Sequence, residues 1–355
     1  MTPPDDIDDL AHRLSRSALY STVTGAGPQT QESKTHMTAR LLLPLALGLV
    51  VLAAVLLRFD MSVVMASLAR VGLGGFAVIV GAGLVGEAVL AVGLYPLLPS
   101  PLPLWIVIAA RQLRDSTADV LPITQLGGIA FAARALVLAG MAAPEASAAV
   151  IADVTAETFA QGLYVLTGVL ASLSLLYKSA ALSPYVGAML GGALFLAAGA
   201  IGFALVQVTG SRWAEKMSAR LFPNSANHTR AFHDTIRAIY ARRGKLAVSM
   251  LLQFLGWIAS GVWLWVMLQV MGLGTGLLTA VAIQALVEGL RSALVFIPAS
   301  VGVQEAGYAA LAPVFGLTPE IGLAVSLLRR ARDVVVAVPV ILLWQMIETR
   351  RAARA

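Results

Sequence analysis

Residues Leu246–Val270 read LAVSMLLQFLGWIASGVWLWVMLQV, without a single Asp, Glu, Lys or Arg. A helix needs about 20 mainly apolar residues to cross the hydrocarbon core of a bilayer, so this stretch decides the class. Working outward, similar segments recur. Leu41–Leu57, Gly72–Leu98 (with Glu87 inside it), Ala146–Leu176 and Val186–Val208 precede it, and Gly272–Ile297 and Ile321–Met346 follow. Leu104–Arg114 is apolar but short, after a turn holding Pro96, Pro99, Pro101 and Pro103. The expectation is an all-α, polytopic helical bundle in the membrane, with roughly seven to nine crossings.

Composition agrees. Hydrophobic residues are 58% and charged residues 12% of the chain, which leaves too little charge to cover the surface of a soluble fold of this size. The 32 glycines suit close helix packing in lipid. Cysteine is absent, so disulfides, thiolate metal sites and a cysteine nucleophile are excluded. The net charge of +6 reads as cytoplasmic loops beside anionic lipid, not as nucleic-acid binding.

Residues 1–37 are polar, open with Asp5, Asp6, Asp8 and Asp9, and are expected to form a disordered tail without a cleavable signal. Residues 38–350 are then a single transmembrane domain. Its one long polar stretch, Ser211–Lys245, carries Arg212, Lys216, Arg220, Arg230, Arg237, Arg242, Arg243 and Lys245, whereas the facing loop has Lys178. Positive charge stays inside, so the long loop and the N-terminus are placed in the cytoplasm.

Two regions look alike. Arg114 leads to Pro122, Gly127, Gly128 and Gly140, then Pro144-Glu145; Arg291 leads to Pro298, Gly302, Gly307 and Gly316, then Pro319-Glu320. Gly140 follows Pro122 by 18 residues, as Gly316 follows Pro298. Proline removes a donor and glycine permits bends, so each copy, about 111–176 and 288–347, is read as a pseudo-repeated helix–break–helix element. Broken backbone survives in lipid only inside protein or beside water, and paired broken segments point to a transport site. Re-entrant hairpins and proline-kinked packing helices both fit this pattern.

Charge inside a span costs roughly 2.5–3.5 kcal/mol on insertion scales, so such residues turn inward and pair. Asp153 and Glu157 share one helix face, and Arg329, Arg330, Arg332 and Asp333 stand at similar depth in the second copy. Glu157 is 12 residues past Glu145 and Arg332 is 12 past Glu320. This suggests pairing across the repeats, Asp153 or Glu157 with Arg329 or Arg332, in a structural or a gating role. Arg111, Arg114, Asp115 and Asp119 enter the first break; Glu288 and Arg291 enter the second. Arg111 fits a headgroup grip or an interfacial anchor equally. Gln304 and Glu305, inside the second break, are the stronger functional candidates. Glu87 and Arg134 read as helix-pairing charges.

Other chemistries drop out. His12, His36, His228 and His233 all lie outside the spans, so no intramembrane histidine relay or His-based zinc site is expected. No nucleotide-binding phosphate loop occurs, and Gly72–Gly75 lacks the strand context of a dinucleotide site. Trp257, Trp263, Trp265 and Trp344 fit interface belts or packing.

The chain resembles the flippase-like family, also described as the transmembrane region of lysylphosphatidylglycerol synthase, and within it the hopanoid-biosynthesis-associated membrane proteins. The resemblance rests on Leu121-Pro122-Ile-Thr-Gln125-Leu-Gly127-Gly128, on Asp153-Val-Thr-Ala-Glu157, and on Phe296-Ile-Pro298-Ala-Ser-Val-Gly302-Val-Gln304-Glu305-Ala-Gly307-Tyr308. Pro319-Glu320 and Arg329-Arg330-Ala-Arg332-Asp333 also fit. It covers about Thr38 to Arg350. The family often carries a glutamate after the paired glycines, where this chain has Ile129. No segment after Met346 is expected to fold as the soluble aminoacyl-transferase domain of the synthases. The resemblance implies a bacterial inner-membrane protein that moves lipid without a covalent step and needs no cofactor. Its cargo would be a hopanoid or an anionic phospholipid, and lipid-biosynthesis proteins are possible partners. The path or gating residues are then Arg114, Pro122, Gly127, Gly128, Asp153, Glu157, Pro298, Gly302, Gln304, Glu305, Arg329, Arg332 and Asp333. Two other classes compete: an intramembrane lipid-modifying enzyme working through Asp153, Glu157 and Glu305, and a scaffold that recruits a partner through Ser211–Lys245.

Overall fold

The computed structural model describes residues 61–120, 125–176, 226–294, 297 and 300–352. The tail (1–37), the expected spans Leu41–Leu57 and Val186–Val208, and Pro122 and Pro298 lie outside the described residues. The described residues form nine α-helices and no strand. They are α1 (Met61–Val92), α2 (Leu104–Val120), α3 (Gln125–Leu138), α4 (Ala143–Leu176), α5 (Ala226–Ala241), α6 (Arg243–Val270), α7 (Leu277–Ala293), α8 (Val303–Leu311) and α9 (Pro319–Ala352). Among them, Leu68–Leu97, Ala143–Leu175 and Arg243–Val270 are long and apolar enough to cross a membrane.

The two similar regions take the same local structure. In each, a 17-residue helix (α2, α7) precedes a shorter helix (α3, α8) and then a 34-residue helix (α4, α9). The turn before the long helix is the same motif twice. Gly140 (φ 104°) and Gly316 (φ 79°) take the positive φ that glycine tolerates. Around them Met141 N–H donates to Leu136 O (3.2 Å), and Leu317 N–H donates to Ala312 O (3.0 Å). Both bonds satisfy carbonyls at a helix end. The offset between Met141 and Leu317, like that between Ala143 and Pro319, is 176 residues. In this register Glu157 stands opposite Asp333, and not opposite Arg332 as the Pro-Glu alignment suggested.

Hydropathy misjudged one helix. Gly272–Ile297 was expected to span, but Gly272 (φ 78°) turns the chain and α7 begins only at Leu277. Seventeen residues rise about 26 Å, short of the hydrocarbon thickness of about 30 Å. It is the counterpart of α2, which sequence had already marked as short. The Ser211–Lys245 stretch also differs from a loop: from Ala226 it is the amphipathic helix α5, whose Phe232, Ile236 and Ile239 pack with the first repeat's core.

That packing follows a swap. α1 and α6 lie against each other. The long helix α4 lies on α6 and α7, while α9 lies on α1 and α2. Each repeat's long helix therefore rests on the leading helices of the other, as a pseudo-twofold arrangement requires. Two apolar cores result: one built on α2, α3, α4 and the Leu94–Leu98 turn, the other on α6, α7, α8 and α9 with Val71 and Ile79 of α1. Small residues allow the crossings. Gly168 of α4 meets Ala285 of α7, and Gly256 of α6 meets Leu90 of α1, so closely that an added Cβ would lie 2.3 and 2.6 Å from them.

Candidate functional site

Ionised side chains collect where the helices face inward, because lipid offers them no hydration. In the first repeat, Arg111 and Arg114 of α2 share three carboxylates. Arg111 Nε donates to Asp115 (2.8 Å), and its other nitrogens reach Asp153 (3.4 Å) and Glu157. Arg114 donates to Asp115 (3.0 Å), Asp153 (3.2 Å) and Glu157 (2.6 Å). Gln253 of α6 completes the set, donating to Asp153 Oδ1 at 2.7 Å. Arg111 is 2% exposed, which excludes the anchor reading.

The second repeat builds the same network with its charges rearranged. Counted from the start of their helices, Gln284 and Glu288 of α7 stand where Arg111 and Asp115 stand in α2, three residues off the 176-residue register, and Arg329 of α9 stands where Asp153 stands in α4. Gln284 Nε2 donates to Glu288 (3.0 Å), and Arg329 donates to Glu288 (2.8 Å) and to the Tyr308 hydroxyl (3.0 Å). Tyr308 donates on to Gln284 Oε1. Arg329 also lies over the Trp263 ring, 5.2 Å from its centroid.

The expected pairing of Asp153 or Glu157 with Arg329 or Arg332 does not occur. Asp153 and Glu157 pair with Arg111 and Arg114, and Arg329 pairs with Glu288, each within its own repeat. The depth was right, but the helix beside each charge was not. α4 rests on α6 and α7, and α9 on α1 and α2, so the two long helices pack on other helices and not on each other.

Glu305 is fully buried with a structural partner set. It accepts from the Gly302 N–H (2.9 Å) at the start of α8 and pairs with Arg330 (2.5 Å), which also donates to Ser300 O (3.1 Å). Gly302, at φ 78°, supplies the bend and the capped N–H. Gln304 is buried and donates to Ser326 O (3.4 Å). Gly128 lets α3 approach α2, since a Cβ there would lie 2.5 Å from Arg114 O; Gly127 is half-buried beside it.

Between the repeats lies a different group. Arg332 of α9 reaches Glu87 of α1 (2.5 Å) and Asp333 (3.2 Å), with its guanidinium 5.3 Å from the Trp263 centroid. Arg291 of α7, bonded to Glu288 at 3.0 Å, also approaches Asp119 of α2 at 3.6 Å. Asp119 also feels the charges of Asp333, Asp115 and Glu87. Here hydrogen bonding is incomplete: Arg332 Nε and Nη2, Arg291 Nε and Glu87 Oε2 are buried without a partner among the described residues. Such orphans are rare and need a physical explanation. Gly83 and Glu87 sit near the middle of the 30-residue apolar segment Leu68–Leu97, so this seam lies near mid-span. Farther out, Arg134 donates to Glu348 (2.9 Å), a hydrogen bond that holds the Glu348 carboxyl below its usual range.

The seam thus holds Arg332 and Asp333 from the expected residues, while Arg114, Asp153, Glu157 and Arg329 fill the two inner networks. Sequence reasoning left out Gly83, Gln253, Gln284 and Tyr308 as site residues, and read Glu87 and Trp263 as packing. An amide in the middle of an apolar span, as at Gln253 and Gln284, is the signal that was there to use.

Among the described residues no group of His, Cys, Asp or Glu could hold a metal ion. Comparison with curated proteins and with solved structures returns no match. The family described as "Lysylphosphatidylglycerol synthase TM region" matches residues 41–341, most of the chain and all of both repeats up to the middle of α9. A membrane-bound, lipid-related protein built on two interleaved helical repeats, this chain belongs to the lysylphosphatidylglycerol synthase transmembrane-region family.

Proposed function

We propose that the protein moves a lipid across the bilayer, its headgroup passing along the seam between the two repeats, without a covalent step. The observation that carries the reading is the Glu87–Arg332 pair. It sits near mid-span between repeats and leaves three buried atoms without a partner among the described residues, whereas the first repeat's network leaves one, Gln253 Oε1. A permanently packed helix pair has no use for orphaned charge at that depth; a passing headgroup supplies what is missing. The cargo is a hopanoid or a related membrane lipid, and the setting is the bacterial inner membrane with the N-terminus in the cytoplasm. Arg114, Asp153, Glu157, Glu305 and Arg329 then hold each repeat rigid, and Arg332 and Asp333 meet the cargo.

A headgroup-accessibility assay in liposomes tests this. Labelled hopanoid and phosphatidylglycerol analogues are compared with protein-free vesicles, for wild type and for Arg291→Gln, which loosens the α2–α7 link. Acceleration by wild type that changes in the variant supports the proposal. Folded wild type that accelerates neither lipid refutes it.

A second reading has one observation in its favour. Arg230, Arg242, Arg243 and Lys245 are exposed along α5 and the start of α6, a basic face that a scaffold would use to recruit an acidic partner. Deleting 211–225 and neutralising these four residues would abolish function under that reading and spare translocation.

A further inference from the structure

We infer that the seam is a binding site for an uncharged, polyhydroxylated headgroup, recognised by Arg332 and Glu87. The inference rests on the translocation reading for its setting and adds the chemical class of the cargo.

Arg332 is 3% exposed. Its Nη1 is engaged by Glu87 and Asp333, and Nε and Nη2 have no partner among the described residues. Those two nitrogens form one edge of the guanidinium, with two parallel N–H groups that match two neighbouring oxygens. Glu87 has the opposite lack: Oε1 accepts from Arg332, while the buried Oε2 has no donor among the described residues. A ligand must therefore present a pair of acceptors to one residue and a donor to the other, a few ångströms away.

Charge selects among the candidates. The seam holds Glu87, Asp119 and Asp333 against Arg291 and Arg332. Arg329 lies on the same Trp263 ring, and Glu288 is shared between it and Arg291, so counting both leaves the same one negative charge in excess. A phosphodiester would satisfy the arginine edge yet place more negative charge beside three carboxylates, and it has no proton to give Glu87. A primary ammonium would serve Glu87 and leave the arginine edge bare, and a phosphate–ammonium zwitterion would serve both only by setting its phosphate among the carboxylates. Adjacent hydroxyls do both, accepting from Nε and Nη2 while donating to Oε2.

Access is built into α1. The orphaned edge faces Gly83, where a Cβ would lie 2.9 Å from Arg332 Nε and 3.1 Å from Nη2. No side chain stands on α1 at Gly83 to fill the space beside this edge, so a small separation of α1 from α9 would open it. Glu87 and Asp333 keep 22% and 17% of their side chains exposed, so the entrance is polar.

The test is binding, measured by thermal shift on protein in an amine-oxide detergent, since sugar-headed detergents would occupy the site. The probes are monoglucosyldiacylglycerol (hydroxyls, no charge), phosphatidylmethanol (phosphodiester, no hydroxyls) and phosphatidylethanolamine (phosphodiester with a primary ammonium, no hydroxyls), with free glucose as competitor. The expected result is that the glucosyl lipid binds about tenfold tighter than the other two, the factor for one charge-assisted hydrogen bond. Free glucose should not displace it. Arg332→Lys keeps the charge and its pairing with Glu87 but lacks the fork, so it should erase the preference in a folded protein. Phosphatidylmethanol or phosphatidylethanolamine binding as well as the glucosyl lipid overturns the inference, and needs no variant to show it. Displacement by free glucose overturns the lipid source, and an unchanged preference in Arg332→Lys overturns the assignment to that residue. Selective binding without lipid movement would sink the translocation reading alone, and movement of all three lipids alike would sink this one alone.

Discussion

Asp153 and Arg329 occupy the same place in the two repeats, each ten residues past the first residue of a 34-residue helix, and carry opposite charges. Each is neutralised by the 17-residue helix of its own repeat, Asp153 by Arg111 and Arg114, Arg329 by Glu288. The scaffold has kept an ion pair at this position while exchanging its polarity between the copies.

The exchange predicts a rescue. Asp153→Arg alone places a third cation beside Arg111 and Arg114 and should cost at least the roughly 3–5 kcal/mol of breaking a buried pair. Adding Arg111→Gln recreates, with Asp115 in place of Glu288, the Gln284–Glu288–Arg329 arrangement of the second repeat and should recover a good part of that loss. Thermal unfolding in detergent checks it; a double variant no more stable than the single would show that the two networks are not equivalent.

Neighbouring glycines on α1 should behave differently. A Cβ at Gly81 meets nothing within 4 Å, whereas one at Gly83 meets the Arg332 guanidinium at 2.9 Å. Gly81→Ala should be neutral or gain about 0.5–1 kcal/mol from helix propensity. Gly83→Ala should cost about 1–3 kcal/mol through overpacking against a buried, anchored side chain. Equal melting temperatures for the two would contradict the close approach of α9 to α1.

Glu305 should act as a cap before anything else. Glu305→Gln retains an acceptor for the Gly302 N–H and loses charge on the Arg330 bond; Glu305→Ala loses both. The alanine variant should fall below the glutamine variant by about 1 kcal/mol, a typical cap energy. If the two melt together, the cap contributes nothing.

Glu348 gives a pH signature at the periphery. Its carboxyl lies lower in the folded protein than the usual value of about 4.3 because Arg134 donates to it. Its stabilisation is therefore present above that pH and fades as the pH falls through the lower folded-state value. The melting difference between wild type and Glu348→Gln should be small at neutral pH and shrink on acidification. A difference that grew instead would reverse the assignment.

The parts of the structure legible in advance were those written in backbone-specific residues. Gly140 and Gly316 announced two identical turns because a positive φ leaves few alternatives, and the Pro-Glu pairs marked the starts of both long helices. Hydropathy failed at Gly272–Ile297, since a window average does not register the turn before Leu277. Charge depth was readable from helical rise, but charge partners were not. Which carboxylate Arg329 meets depends on which helix lies beside α9, and that depends on small residues such as Gly168 and Gly322 setting the crossings. Arg332 shows the limit: its place on the helix was visible, but its resting place against Gly83 follows from the swap of the two repeats.

The pairing of α9 also orders the protein's biogenesis. Arg329, Arg330 and Arg332 would each oppose membrane insertion by about 2.5–3.5 kcal/mol if α9 left the ribosome into bare lipid. Their partners Glu288, Glu305 and Glu87 all stand earlier in the chain and have been synthesised before α9 emerges. The last helix is thus a poor client for the translocon alone and a good one for a half-built bundle whose carboxylates are waiting. Shortening the chain ahead of Pro319, or moving α9 to the front by circular permutation, would remove that reception and leave the arginines to find their counter-charges late.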